Sequence, residues 1–183
     1  MIRLFDILFS FTGLTLGSPL LLSIYLVGLL DTGSPLFRQT RLGKDKKAFT
    51  LIKFRTMHIN TRSIASHLAD SDAITPIGRI LRKTKLDELP QLWNVLVGDM
   101  SLVGPRPNLP NQIELISERD KLGVYNVKPG ITGLAQIQNI DMSTPEKLAL
   151  VDLKMVNDLR LKSYFKYILQ TVLGRGAGDA VQP

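Results

Sequence analysis

The chain contains no cysteine, which excludes disulfide frameworks, thiolate zinc sites and a cysteine nucleophile. Its only histidines are His58 and His67, too few for a multi-histidine metal centre. Internal repeats and low-complexity tracts are also missing. What is present fits one domain of ordinary size: 183 residues, 44% hydrophobic and 21% charged. Those values exclude both a disordered chain and a many-helix membrane bundle. Lys and Arg number 23 against 16 Asp and Glu, a net charge of +7. That excess suits an anionic partner: nucleic acid, phosphorylated small molecules or an acidic membrane surface. Composition does not choose among them.

One long apolar run narrows the choice. Ile7 to Leu30 are 24 residues without a charge, flanked by Arg3 and Asp6 before and Asp31 after. As a straight helix the run would extend about 36 Å, enough to cross a hydrocarbon core of about 30 Å. It is too long for a cleaved signal peptide, and no small-x-small site follows it. Ser18-Pro19 sits at its midpoint. Pro19 cannot donate to the carbonyl of Thr15, so a kink is expected there, with the Ser18 hydroxyl available to a freed carbonyl. Each half, about 18 Å long, is too short to cross alone. Basic residues lie on both sides, Arg3 before and Arg38, Arg41, Lys44, Lys46, Lys47, Lys53 and Arg55 after. Since basic flanks favour the cytoplasm, the segment reads either as a re-entrant helix or as a kinked single-span anchor. Residues 1–31 hold one basic and two acidic residues, so residues 32–183 carry 22 basic and 14 acidic, a net +8.

The remainder predicts one compact α/β domain, mostly helical with a small β-hairpin. Pro35–Leu42 and Ala48–Met57 read as strands around a turn at 43–47. Asn60–Asp72 is polar and irregular. Thr75-Pro76 predicts an N-cap and first turn of a basic helix running to Lys83. Asp87 is placed as the N-cap of a further helix ending at Gly98, with Trp93, Leu89, Leu92 and Leu96 on its core side. Ser101–Pro110 is an extended loop, Ile113–Leu122 a short helix and Val127–Gln138 loop or strand. Thr144-Pro145-Glu146 opens a long helix, and Tyr164–Leu173 is a last apolar stretch.

The most informative carboxylates are Asp87 and Glu88. They serve a helix start as cap and dipole partner, or they do chemistry. Arg79, Arg82, Lys83 and Lys85 stand just before them, able to hold a phosphate or keep a carboxylate ionised as a nucleophile. A carboxylate attacking phosphorus gives an acyl phosphate and divides one transfer into two steps. Two adjacent carboxylates also suit Mg²⁺, an oxygen-seeking ion that helps neutralise phosphate. Arg106, held between Pro105 and Pro107, is a preorganised guanidinium for phosphate or an exposed turn residue. Residues 128–133, Lys-Pro-Gly-Ile-Thr-Gly, form an anion cradle or a tight turn. Asp70-Ser71-Asp72 matches the Asp-x-Asp of metal-dependent glycosyltransferases, but without a hydrophobic strand before it.

Taken in order, these pieces resemble the bacterial sugar transferase family, the monotopic phosphoglycosyl transferases, in their minimal form. The similarity lies in Lys53-Phe54-Arg55-Thr56-Met57, in residues 86–96 (Leu-Asp-Glu-Leu-Pro-Gln-Leu-Trp-Asn-Val-Leu), in residues 98–107 (Gly-Asp-Met-Ser-Leu-Val-Gly-Pro-Arg-Pro) and in 128–136. With the broken apolar segment it covers nearly the whole chain. The resemblance implies an N-terminal re-entrant membrane helix, residues 1–31, broken at Ser18-Pro19 and joined to a cytosolic catalytic domain, residues 32–183. It implies transfer of a phosphosugar from a UDP-sugar to polyprenyl phosphate with release of UMP, at the start of glycan assembly. Asp87 would be the nucleophile and Glu88 its partner, both on Mg²⁺. Arg82 and Arg106 would bind phosphate or nucleotide, with Lys53 and Arg55 contributing. The expected place is the bacterial inner membrane, with the catalytic domain facing the cytoplasm. No nucleic acid is expected, and oligomers are compatible. Two departures stand out: Ile137-Gln138-Asn139-Ile140 replaces an Asn-Gly-Arg-like turn, and Met155 stands where relatives carry tyrosine. The competing readings are a glycosyltransferase using Asp70 and Asp72, and a non-enzymatic basic membrane-anchored module.

Overall fold

A computed structural model describes residues 1–61 and 71–176. Two helices, α1 (Ile2–Leu16) and α2 (Ser18–Asp31), make up the apolar segment and meet at a 62° bend. The expected chemistry operates at the break. Pro19 offers no N–H to Thr15, and the Ser18 hydroxyl donates to that carbonyl instead, at 2.8 Å. No single described helix is long and apolar enough to cross a membrane, but the bent pair together is.

After the segment come β1 (Leu36–Leu42) and β2 (Ala48–Phe54), an antiparallel hairpin with Leu36 opposite Phe54 and Leu42 opposite Ala48. Helix α3 (Pro76–Thr84) starts as predicted, the Thr75 hydroxyl accepting from Gly78 N at 2.9 Å. A 3₁₀ turn, Leu86–Glu88, leads to α4 (Gln91–Val97), which ends on Gly98 at φ 103°. Then follow β3 (Ser101–Val103), α5 (Ile113–Lys121), β4 (Gly130–Thr132), α6 (Leu134–Ile137), α7 (Pro145–Asn157) and α8 (Leu161–Val172). The described residues are mostly helical, with two two-stranded sheets.

Strands β3 and β4 pair in parallel, Ser101 with Gly130 and Val103 with Thr132. Gly104 and Gly130 make this possible: a Cβ on Gly130 would lie 2.0 Å from Gly104 N. Within the stretch 128–133, Gly130–Thr132 therefore form a strand, and groups that an anion cradle would use are bonded to protein instead. Gly130 N donates to Pro105 O at 2.9 Å, and the Thr132 and Thr171 hydroxyls share a hydrogen bond.

Two sequence expectations are corrected. Asp87 does not cap α4; it lies inside the 3₁₀ turn, because Lys85 takes a left-handed conformation, φ 59°, and ends α3 just upstream. Trp93 is not core but 52% exposed. Helix α4 instead presents Gln91, Asn94 and Val95 inward, and successive side chains on a helix point about 100° apart. The buried face is polar for a reason. Asn94 pairs with the free edge of β2, accepting from Ile52 N and donating to Thr50 O at 3.1 and 2.8 Å. A one-sided apolar pattern does not show that a strand edge needs a partner.

Both ends of the apolar segment are tied to the rest of the chain. Arg3 donates to the carbonyls of Val95 and Leu96 at the end of α4, at 2.5 and 2.8 Å. Asp6 is buried and accepts from Ser101 Oγ, Leu102 N and Tyr164 Oη. Burial and the Asp6 carboxylate push the Tyr164 hydroxyl well above its ordinary pKa. At the far end Thr75 Oγ1 donates to Asp31 at 2.7 Å. Met155 packs fully buried beside Val103, Tyr164 and Tyr167.

Candidate active site

The site is assembled around the turn Leu86–Glu88, which packs against β2 and α3. Its carboxylates face inward: Asp87 is 1% exposed and Glu88 7%. Buried acids of this kind need cationic or hydrogen-bonding partners, and the neighbouring elements supply them. Arg106 Nη2 donates to Glu88 Oε1 at 3.0 Å. Arg82, from the last turn of α3, anchors through Nε on Thr56 Oγ1 at 2.8 Å. Burial lowers the Lys85 ammonium below its ordinary pKa, opposed by the Glu88 carboxylate. A charge cluster separated in sequence thus becomes one locus.

Helix α3 can approach because Gly78 has no side chain: a Cβ there would stand 2.0 Å from Thr56 O. This close approach sets Arg82 over the end of β2. Lys53 and Arg55 sit on the same strand end but are employed differently. Lys53 is buried, with its ammonium 5.7 Å from the Phe37 ring centre. Arg55 donates through Nε to Ser34 O at 2.9 Å and lies 5.4 Å from the same ring. These contacts pin the chain leaving α2, so Arg55 is a less direct candidate for substrate than Arg82 or Arg106.

The loop carrying Arg106 is fixed from behind by residues the sequence did not single out. Arg119 Nη1 donates to Arg106 O at 2.8 Å and to Asn108 Oδ1 at 3.1 Å. Its Nε and Nη2 both reach Asp152 Oδ2, at 3.0 and 2.7 Å. Tyr125 Oη donates to Asn108 Oδ1 at 2.9 Å, and burial raises the pKa of that phenol. Arg41 adds a bond to Pro107 O at 3.1 Å. Arg119 reads in sequence as an ordinary surface cation of an amphipathic helix, so no local signal marks it.

Asp70 lies outside the described residues. Asp72 is exposed in the 3₁₀ turn Ser71–Ala73. Among the described residues no group of three or more His, Cys, Asp or Glu side chains could hold a metal by itself. Adjacent Asp87 and Glu88 still provide what Mg²⁺ uses when substrate phosphates complete its shell, namely one or two carboxylates. The donor set fits that ion only together with a phosphorylated ligand.

The description "Bacterial sugar transferase" belongs to the family model that matches residues 1–175. An uncharacterized sugar transferase EpsL of Bacillus subtilis is 42% identical over 171 residues, covering 93% of this chain and 84% of that one. A UDP-glucose:undecaprenyl-phosphate glucose-1-phosphate transferase of Caulobacter vibrioides is 38% identical, covering 93% of this chain and 67% of that one. An undecaprenyl-phosphate galactose phosphotransferase of Salmonella typhimurium is 39% identical over 74% of this chain. The chain spans 32% of that longer relative.

Proposed function

The chain belongs to the bacterial sugar transferase family, and from that premise we propose that it is a membrane-associated polyprenyl-phosphate phosphoglycosyl transferase. It takes a phosphosugar from a nucleoside diphosphate sugar, a UDP-sugar in the first instance. The observation that carries this reading is the buried Asp87-Glu88 pair with Arg106 on Glu88 and Arg82 on the adjoining strand end. Two named relatives are undecaprenyl-phosphate sugar-phosphate transferases, and the site offers the groups such chemistry needs.

An Asp87 carboxylate oxygen attacks the sugar-bearing phosphorus of the donor. The bond from that phosphorus to the bridging oxygen breaks, and the nucleoside monophosphate leaves with the electron pair. In the second step an oxygen of polyprenyl phosphate attacks the same phosphorus, the bond to Asp87 breaks, and the carboxylate is restored. Dividing the transfer lets two phosphorylated substrates use one site in turn. Arg106 and Arg82 orient phosphate oxygens and oppose the charge that gathers on them. Asp87 and Glu88 would hold Mg²⁺, which when bound supplies charge neutralisation at the phosphates.

The apolar segment enters the membrane and returns. Arg3 and Asp6 at one end and Asp31 at the other are bonded to the same domain, so both ends belong on one side of any bilayer the bend penetrates. Exposed Leu8, Phe11, Leu26 and Leu30 give it a lipid-facing surface. Phe165 packs edge-on against Phe5 and Phe9, extending that surface to α8. We place the catalytic domain at the cytoplasmic face of the inner membrane, where a soluble donor and a lipid phosphate meet.

Incubation with a panel of UDP-sugars and no acceptor, followed by peptide mass spectrometry, tests the mechanism. The expected product is a phosphosugar on Asp87, absent in Asp87→Asn. Full turnover by Asp87→Asn would sink the nucleophile assignment. Retention of full transfer in excess chelator would sink the metal requirement.

A further inference from the structure

An open apolar groove of about 510 Å³ runs beside the site, between α2, the β1–β2 hairpin and α4. Leu22, Tyr25, Leu36, Phe54, Pro90 and Trp93 are among the residues that line it. Its size is that of a small-ligand site, about 300–1,000 Å³. Exposed Trp93 and Leu22 form part of the wall, 52% and 59% accessible. A tryptophan left at this accessibility in a groove has no core function to account for it.

Two of the groove's lining residues adjoin the polar site in the chain. Pro90 follows Glu88 by two residues, and Phe54, the last residue of β2, stands between Lys53 and Arg55 in the chain. The groove's floor belongs to the same packed cluster as Leu81 and Leu86, the neighbours of Arg82 and Asp87 in the chain. An amphiphile with a strongly anionic head and a single apolar tail matches this layout: head among Arg82, Lys85 and Arg106, tail along Trp93 and Tyr25. A phosphomonoester carries about −1.5 to −2 charge at pH 7, more than the single charge of an ordinary phosphodiester lipid. The basic end therefore favours a phosphomonoester over bulk phospholipid.

We propose that this groove seats the isoprenoid tail of the polyprenyl phosphate acceptor, with Trp93 and Tyr25 as its principal contacts. The assignment rests on the transferase reading above and adds a place and residues for the acceptor's tail.

Trp93 is the only tryptophan in the chain, so its emission reports on the groove alone. Full-length protein in phosphatidylcholine nanodiscs would be titrated with polyprenyl phosphate and, separately, with phosphatidic acid, a phosphomonoester lipid carrying two acyl tails. The expected result is a saturable emission shift with polyprenyl phosphate and none at equal mole fraction of phosphatidic acid. Equal responses to both, or none to polyprenyl phosphate, would overturn the proposal and leave the groove to ordinary membrane lipid. In a second arm Leu22→Asn is expected to raise the acceptor KM roughly tenfold while phosphosugar labelling of Asp87 without acceptor is unchanged. An unaltered acceptor KM overturns the assignment. The emission shift is also expected in Asp87→Asn. An emission shift in a chain that no UDP-sugar labels at Asp87 would count against the covalent mechanism and still support the groove.

Discussion

Arg119 and Asp152, 33 residues apart on α5 and α7, form an ion pair with both side chains at most 2% exposed, Nη2 to Oδ2 at 2.7 Å. The pair acts on the site through the backbone, because the remaining Arg119 nitrogen holds the carbonyl of Arg106. Removing one partner strands a buried charge, a loss of about 3–5 kcal/mol. Asp152→Ala is expected to destabilise the protein by that amount in urea titrations. Arg119→Met combined with Asp152→Leu should recover much of the stability while weakening donor binding, since Arg106 O loses its anchor. Recovery of both together would show that the pair does not position Arg106.

Arg106 donates from Nη2 to Glu88 Oε1 at 3.0 Å. Losing a preorganised donor of this kind costs transfer roughly 10²–10³-fold. Arg106→Ala should therefore lower kcat/KM for the donor by about that factor, and it should also lower the melting temperature, because buried Glu88 loses its ion-pair partner. Arg106→Lys should restore little, because a point charge cannot reproduce a planar fork.

Tyr164 donates to buried Asp6 at 2.8 Å, which joins α8 to α1. Hydrogen bonds to charged groups contribute about 1.5–3 kcal/mol. Tyr164→Phe keeps the ring in the core and should lose that amount by chemical denaturation. A neutral result would mean that Ser101 Oγ and Leu102 N alone satisfy the carboxylate.

Pro19→Ala supplies the missing N–H at the break and should allow α1 and α2 to straighten. The chain is cysteine-free, so topology can be read by single-cysteine labelling in membranes. In the unaltered segment, a cysteine at Gly33 and one appended ahead of Met1 should react with an impermeant maleimide from the same side. In Pro19→Ala a fraction of molecules should present them on opposite sides. Opposite-side labelling without the substitution would discard the re-entrant arrangement.

Lys85 has its pKa lowered by burial, with Glu88 acting against the change. The unfolded chain keeps the proton up to the ordinary value of 10.5, so it binds more proton than the native state between the lowered value and 10.5. The penalty for burying the charge is thus full at neutral pH and disappears as pH climbs past 10.5. Lys85→Met should melt higher than the parent at neutral pH, and the difference should shrink toward zero through that alkaline window. A difference constant with pH would mean that the penalty is not electrostatic.

Local chemistry in the sequence determined much of this protein. The break at Ser18-Pro19 follows from a missing N–H and a nearby hydroxyl, the start of α3 from Thr75 and Pro76, and the end of α4 from Gly98. Each involves residues within one helical turn, so each is legible without the rest of the chain. The acidic pair at 87–88 and the basic residues near it were legible as candidates for the same reason. Only the tertiary structure decided how they are used. It buried Asp87 in a 3₁₀ turn instead of at a cap, set Asn94 against a strand edge, left Trp93 to line a groove, and placed Arg119 behind Arg106. Those outcomes depend on contacts between residues tens of positions apart, where burial and paired charge outweigh local preference.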